Sequence, residues 1–193
     1  LSISGIILAG GLARRMNGVD KGLVELSGKP MVAHVLARLQ PQVDEILINA
    51  NREIEQYASF GHAVIPDEIA GFAGPLAGLH RGMTAASQPF VMTVPCDSPY
   101  LPTDLAARLM QALNAQKADL AVAKTGHQTH PVFCLCRREL APHLAEFLRG
   151  GGRKIDAWYA TLKVVEVPFD DEADGFANIN TLEELKSLEQ QQG

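Results

Sequence analysis

Ile6-Ile7-Leu8-Ala9-Gly10-Gly11-Leu12-Ala13-Arg14-Arg15-Met16, followed by Lys21, is the stretch whose reading decides the fold. The apolar run from Ile3 to Leu8 predicts a short buried strand. Two glycines after a strand let the backbone turn and approach a ligand with no Cβ in the way. Exposed N–H groups in such a loop form a concavity that attracts anions. Arginine adds forked donors for phosphate and lysine a compact charge. Together these suggest a triphosphate cradle, although a strand-to-helix turn with solvated arginines fits the same letters. It is not a Walker loop: Gly11 to Gly18 is too long and lacks the Lys-Ser/Thr pair. The G-x-G-x-x-G dinucleotide pattern is absent as well.

The rest of the chain sets bounds on that reading. A chain of 193 residues is expected to be one domain that buries roughly 70% of its unfolded surface, enough to fold without a disulfide or metal. Apolar residues make up 47% and charged residues 20%, the balance of a soluble globular protein. With a net charge of −5, bulk attraction to nucleic acid is not expected, and any anion site must be a local basic patch. No secretory signal and no apolar run near membrane-span length is read from it. Three cysteines fit a reducing cytoplasm. The chain starts at Leu1 without Met, so native residues are expected ahead of it.

Strand-like runs alternate with helix-period segments, which argues for a parallel sheet with helices on both faces. Strands are expected at Ile3–Leu8, Glu45–Ala50, Ala63–Ile65, Phe90–Val94, Leu120–Lys124, Val132–Cys136 and Lys163–Val167. Pro30 is placed to begin a helix with Val32, Val35, Leu36 and Leu39 on one face. A helix is also expected over Leu79–Ala86. Leu105, Leu109, Ala112 and Leu113 form another apolar stripe, with Thr103 as its N-cap. Leu140, Leu144, Phe147 and Leu148 form a further one. Thr181-Leu182-Glu183-Glu184 is a capping box opening a last helix to about Glu189. Gly150-Gly151-Gly152 reads as a hinge or a second approach loop.

Several side chains have chemistry to offer. Asp97 follows the most apolar strand and is flanked by Pro95 and Pro99. A carboxylate there lies at the sheet edge where α/β folds bind ligands, and it suits Mg²⁺, which takes one or two carboxylates plus substrate phosphates. A turn or helix cap is the plainer role for it. Asp67 follows another strand end. Asn49 and Asn51 end the second strand, and an amide can read a base or a ribose. His127, His130, Cys134 and Cys136 are zinc-ligand types, but their spacing matches no finger or ribbon, and the cysteines sit in a core-like run.

The loop from Leu8 to Met16 resembles the signature of the nucleotidyltransferases that build sugar nucleotides and related dinucleotides. Within them the chain is most similar to the molybdenum cofactor guanylyltransferases. The matching pieces run in order over nearly the whole chain: Leu8 to Met16, Val19-Asp20-Lys21-Gly22, Gly28-Lys29-Pro30, Asn49-Ala50-Asn51-Arg52, Gly74-Pro75-Leu76-Ala77-Gly78, Pro95-Cys96-Asp97-Ser98-Pro99 and Asn178-Ile179-Asn180-Thr181. The resemblance implies a Rossmann-like three-layer α/β sandwich with a mostly parallel central sheet. Residues up to about 100 would bind nucleotide and the remainder would complete the acceptor site. It implies transfer of GMP from GTP to molybdopterin, with Mg²⁺ on Asp97 and charge stabilised by Arg15 and Lys21. Leu8, Ala9, Gly10, Gly11, Lys21, Asn49, Asp67, Gly78 and Asp97 would line GTP, small residues near Gly78 leaving room for the base. Either Arg14 or Arg15 can reach phosphate. Asn17 stands where a close relative could carry glycine, which would stiffen the loop. His130, Arg153, Lys154, Asn178 and Asn180 would line the pterin side, Asn178 and Asn180 sharing one face of a short strand. Solvated helix-start charges are the alternative for Arg153 and Lys154, and capping of the turn before Thr181 for Asn178. A cofactor-delivery or molybdoenzyme-chaperone partner suits a labile product. The competing functions are transfer of another nucleotide, such as CMP, to molybdopterin or a sugar phosphate, and a nucleotide or cofactor carrier that does no chemistry.

Overall fold

The computed structural model describes residues 2–11, 15–69, 71, 74–179 and 181–191. Arg14 and Asn180 lie outside them. The strands of the main sheet are β1 (Ile3–Leu8), β2 (Glu45–Asn49), β3 (Ala63–Ile65), β4 (Phe90–Pro95), β5 (Leu120–Thr125), β6 (Gln128–Arg137) and β7 (Val164–Pro168). They lie in the order β7-β5-β6-β4-β1-β2-β3. Every pairing is parallel except those of β6, which runs antiparallel to both β4 and β5. All six residues of β1 are buried, as a central strand covered on both faces requires.

Helices α1 (Met31–Leu39) and α4 (Leu105–Ala115) cover one face. Helices α3 (Pro75–Ala85), α5 (Ala141–Arg149) and α6 (Ile155–Tyr159) cover the other, and a short α2 (Ile54–Ala58) buries Tyr57 on the first. The strand alternation sorts the core. Ile3 and Ile7 point to the α1/α4 face, whereas Ile6 and Leu8 point to the α3/α5 face. Met31, Val32, Val35, Leu36 and Leu39 of α1 are buried, each contributing about 1.5–3 kcal/mol. The C-terminal helix α7 (Leu182–Gln191) stands apart from this sandwich. Its Leu185 joins Met16, Leu26, Met31 and Ile179 in a third apolar cluster, so the chain's last helix braces the segment carrying Lys21.

The structure departs from the sequence reading at a few places. Helix α3 begins at Pro75, a turn earlier than expected, with proline in its first turn. The N-cap of α4 is Asp104, not Thr103, and makes no side-chain cap bond. Gln42 does that work from outside: its Oε1 accepts from Ala106 N at 2.9 Å. The triple glycine lies between α5 and α6 and forms the end of α5. Gly150 N and Gly152 N donate to Glu146 O and Phe147 O, and Gly151 takes φ +96°. No strand forms at Asn178, where the chain is irregular. Thr181 caps α7 from its side chain, as half of the expected box: Glu184 N donates to Thr181 Oγ1 at 3.1 Å.

Two small hairpins between β1 and α1, Arg15–Met16 with Val19–Asp20 and Glu25–Leu26 with Lys29–Pro30, went unforeseen. Asn17 and Gly18 have φ of 51° and 81°, and Ser27 and Gly28 have 52° and 82°. Positive φ at both central residues makes each a type I′ turn, for which Asn-Gly is a strong signal. Asn17 therefore adopts the left-handed conformation such a turn needs.

Candidate active site

The carboxyl ends of β1, β2, β3 and β4 reach the same edge, because Leu8 pairs with Asn49 and Pro95 and Asn49 pairs with Ile65. Successive connections leave β1 and β4 in opposite directions along the sheet, so the crevice between Leu8 and Pro95 is the topological switch point where such sheets bind ligands. The glycine loop leaves β1 there and Asp97 follows β4. Thr125 and Gln128, paired at the end of the β5/β6 hairpin, extend the edge to the other side.

One half of this edge is an amide–carboxylate network. Asn49 Nδ2 donates to Ile65 O at 3.1 Å and to Asp67 Oδ1 at 2.9 Å. Asn51 Nδ2 donates to Asp67 Oδ2 at 3.1 Å and to Gly10 O at 3.2 Å, while its Oδ1 accepts from Asp67 N at 2.8 Å. Asp67 thus has both oxygens oriented by amides that lie two residues apart on one strand exit. The glycines are explained by closeness. A Cβ on Gly10 would lie 2.9 Å from Asn51 Nδ2, and one on Gly78 would lie 2.5 Å from Asn49 Oδ1 and 2.7 Å from Leu8 Cδ2. Gly78 therefore does not open an empty slot, as its small size suggested. Its place is filled by Asn49 and Leu8, and it acts on the site by letting α3 press against them.

The other half carries the charges. Lys21 Nζ lies 3.8 Å from Asp97 Oδ2, with the Lys21 side chain mostly buried and that of Asp97 3% exposed. Arg15 is exposed; it donates to Gly18 O at 3.0 Å inside its own hairpin and stands 3.6 Å from Asp20. Sequence reasoning gave Asp20 and Arg52 no role beyond the motif. In the structure Asp20 is buried and accepts from Arg52 Nε at 2.6 Å, and Arg52 Nη2 donates to Gly11 O at 3.2 Å.

Of the residues expected on the acceptor side, His130 and Asn178 reach the same edge, and all of those described have other engagements. His130 Nε2 and Thr125 Oγ1 share a 2.7 Å hydrogen bond, and the ring stacks on Phe176 at 5.0 Å. Burial lowers the His130 pKa below the usual histidine value, which favours the neutral ring. Arg153 donates to Leu148 O at 3.0 Å and to Gly152 O at 2.6 Å, closing the end of α5. Lys154 is the exposed N-cap of α6. Asn178 Oδ1 accepts from Ser98 Oγ at 2.9 Å, and Ile179 N reaches Asp97 O at 3.5 Å. The segment before α7 is therefore fastened to the loop that bears Asp97. Cys134 and Cys136 point into the α3/α5 core, where burial raises both thiols.

Asp97 is the residue that fits a metal. It offers a hard oxygen donor at the switch point, and among the described residues no group of three or more His, Cys, Asp or Glu gathers as a metal site. A single protein carboxylate, with phosphate and water completing the shell, is the ligand set of Mg²⁺ rather than of zinc.

A glycine loop, lysine and carboxylate meeting at the switch point of a Rossmann-like α/β sheet define a nucleotidyltransferase, and the family model for the MobA-like NTP transferase domain matches residues 5–164. The chain is 52% identical over 188 residues to the molybdenum cofactor guanylyltransferase of Shewanella amazonensis, covering 97% of this chain and 96% of that one. It is 52% identical over 192 residues to that of Cupriavidus necator, with the same coverage. Its fold superposes on molybdopterin-guanine dinucleotide biosynthesis protein A from Archaeoglobus fulgidus with a TM-score of 0.80, at 26% identity and 97% coverage of each chain. The chain belongs to the molybdenum cofactor guanylyltransferase family.

Proposed function

We propose that the chain transfers GMP from GTP to molybdopterin, releasing pyrophosphate and forming the guanine dinucleotide cofactor. The observation that carries this reading is the 3.8 Å approach of Lys21 to Asp97 beside the glycine loop. A terminal phosphate oxygen of molybdopterin forms a bond to the α-phosphorus of GTP as the bond from that phosphorus to the bridging oxygen breaks, in line. The electron pair leaves with pyrophosphate. The protein contributes position and charge and forms no covalent intermediate. Backbone N–H groups at Gly10 and Gly11 face the triphosphate. Lys21 offsets charge on the α-phosphate and the departing pyrophosphate, with Arg15 at the rim. Mg²⁺ held by Asp97 would neutralise phosphate charge there. Asn49, Asn51 and Asp67 hold the nucleoside end, with Asp67 presented as an acceptor. The acceptor lies towards His130, Arg153, Lys154 and Asn178. Among the described residues no helix is long and apolar enough to cross a membrane, and a cytoplasmic setting, with hand-over to a delivery or chaperone protein, suits a labile product.

Purified protein with Mg²⁺ and molybdopterin is expected to release pyrophosphate with GTP and not with ATP, CTP or UTP. Release with CTP would leave the mechanism standing and overturn the base assignment. Tight GTP binding without release would favour a carrier.

A further inference from the structure

We propose that Asp20 and Arg52 are a positioning pair that holds the glycine loop and Lys21 in the alignment transfer requires. This rests on the reading of those two elements as the triphosphate site. Asp20 directly precedes Lys21, and its side chain is 1% exposed. A buried carboxylate is costly unless paired and hydrogen-bonded. Here one oxygen receives Arg52 Nε at 2.6 Å, while the other has no hydrogen-bond partner among the described residues. Arg52 is therefore the chief compensation. The same guanidinium reaches Gly11 O at 3.2 Å. One side chain thus joins three segments: the loop leaving β1, the hairpin ending at Asp20 just before Lys21, and the exit of β2. Arg52 also follows Asn51, which orients Asp67, so consecutive residues couple the nucleoside half of the site to the phosphate half. A buried ion pair is a poor source of net stability. Fixing the register of the loop against Lys21 is what the pair accomplishes.

The test uses Asp20→Asn, which keeps the shape, and Arg52→Lys, which keeps the charge but cannot span both partners. Both are compared with wild type and with Lys21→Ala for kcat and GTP KM by pyrophosphate release, and for Tm by circular dichroism, with assays run well below Tm. Misalignment of reacting groups predicts a fall in kcat of about 10- to 100-fold, with GTP KM within about threefold because Asn49, Asn51 and Asp67 still hold the nucleoside. The double variant is expected to be no slower than the slower single one, as members of one unit are non-additive. Unchanged kcat in both singles, whether or not Tm falls, or losses that multiply in the double variant, would overturn the pair's role. Lys21→Ala separates the two levels of the argument. If it is inactive while the pair variants are wild type, only the positioning pair fails; if it too is fully active, the triphosphate reading fails with it.

Discussion

The two ends of the functional edge are built differently. At the proposed nucleoside and phosphate end, polar side chains bond mainly to one another and to the glycine loop: Asn49 and Asn51 to Asp67, Arg52 to Asp20, Lys21 to Asp97. At the proposed acceptor end, the polar side chains bond largely to their own scaffold. Arg153 closes helix α5, His130 closes the β5/β6 hairpin against Thr125, and Asn178 pins the approach to α7. The first arrangement is preorganised, so its geometry exists before substrate arrives. The second keeps its donors on secondary-structure ends, where one residue can serve both the fold and a ligand. Substitutions in the first region should therefore change rate and nucleotide binding steeply, and in the second should change acceptor binding gently.

The largest effect belongs to Asp97→Asn. The substitution keeps shape and removes the charge proposed to hold Mg²⁺, so on that reading turnover should drop at least about 1,000-fold. Far-ultraviolet circular dichroism should be unchanged. Activity within tenfold of wild type would remove Asp97 as the metal ligand and weaken the contrast between the two ends at its centre.

How much of this was visible in the letters follows the range of the interactions. Strands β1 and β3 match the sequence reading residue for residue, and the others shift mainly at their ends, because apolar runs and periodicity are local. The Asn17-Gly18 turn was equally local. It was passed over because each flanking strand has only two residues, too few to show alternation. The Asp20–Arg52 pair joins residues 32 apart with no local pattern, and only the crossing from β1 to β2 brings them together. The Asn51–Asp67 contacts arise in the same way, from two strand ends meeting. The role of Arg153 was hidden for another reason. Its partners are the carbonyls of a helix end, and a backbone acceptor has no letter in the sequence.

Gly78→Ala should give the next largest effect and sharpen the comparison, because it strikes the preorganised end without touching a polar group. Alanine is the better helix former by about 1 kcal/mol. However, the new methyl would stand 2.5 Å from Asn49 Oδ1. Asn49 cannot retreat, since Ile65 O and Asp67 fix its amide. Displacing it moves Asp67, so GTP KM should rise about 10-fold or more along with an overpacking loss of about 1–3 kcal/mol. Gly82→Ala, whose methyl would meet Ile6 Cγ1 at 2.7 Å one turn further along α3, is the control. It should lower Tm similarly and leave GTP KM alone. Equal KM changes in the two would mean that α3 packing in general, and not Asn49, governs nucleotide binding.

The smallest effect, and the most direct probe of the acceptor end, is Asn178→Asp. The carboxylate keeps an oxygen where Ser98 Oγ donates, so the tie to the Asp97 loop and the Tm should survive. What changes is the exposed face of the side chain, which exchanges an amide donor for a negative charge. At about 4 Å from a phosphate in water, that repulsion is about 1 kcal/mol, equivalent to roughly a fivefold change in affinity. Molybdopterin KM should therefore rise by about that factor while GTP KM stays constant. A loss of kcat with falling Tm would assign Asn178 to the scaffold alone. A rise in GTP KM would place the segment before α7 on the nucleotide side, and the division of the edge into two ends would have to be redrawn at Ser98.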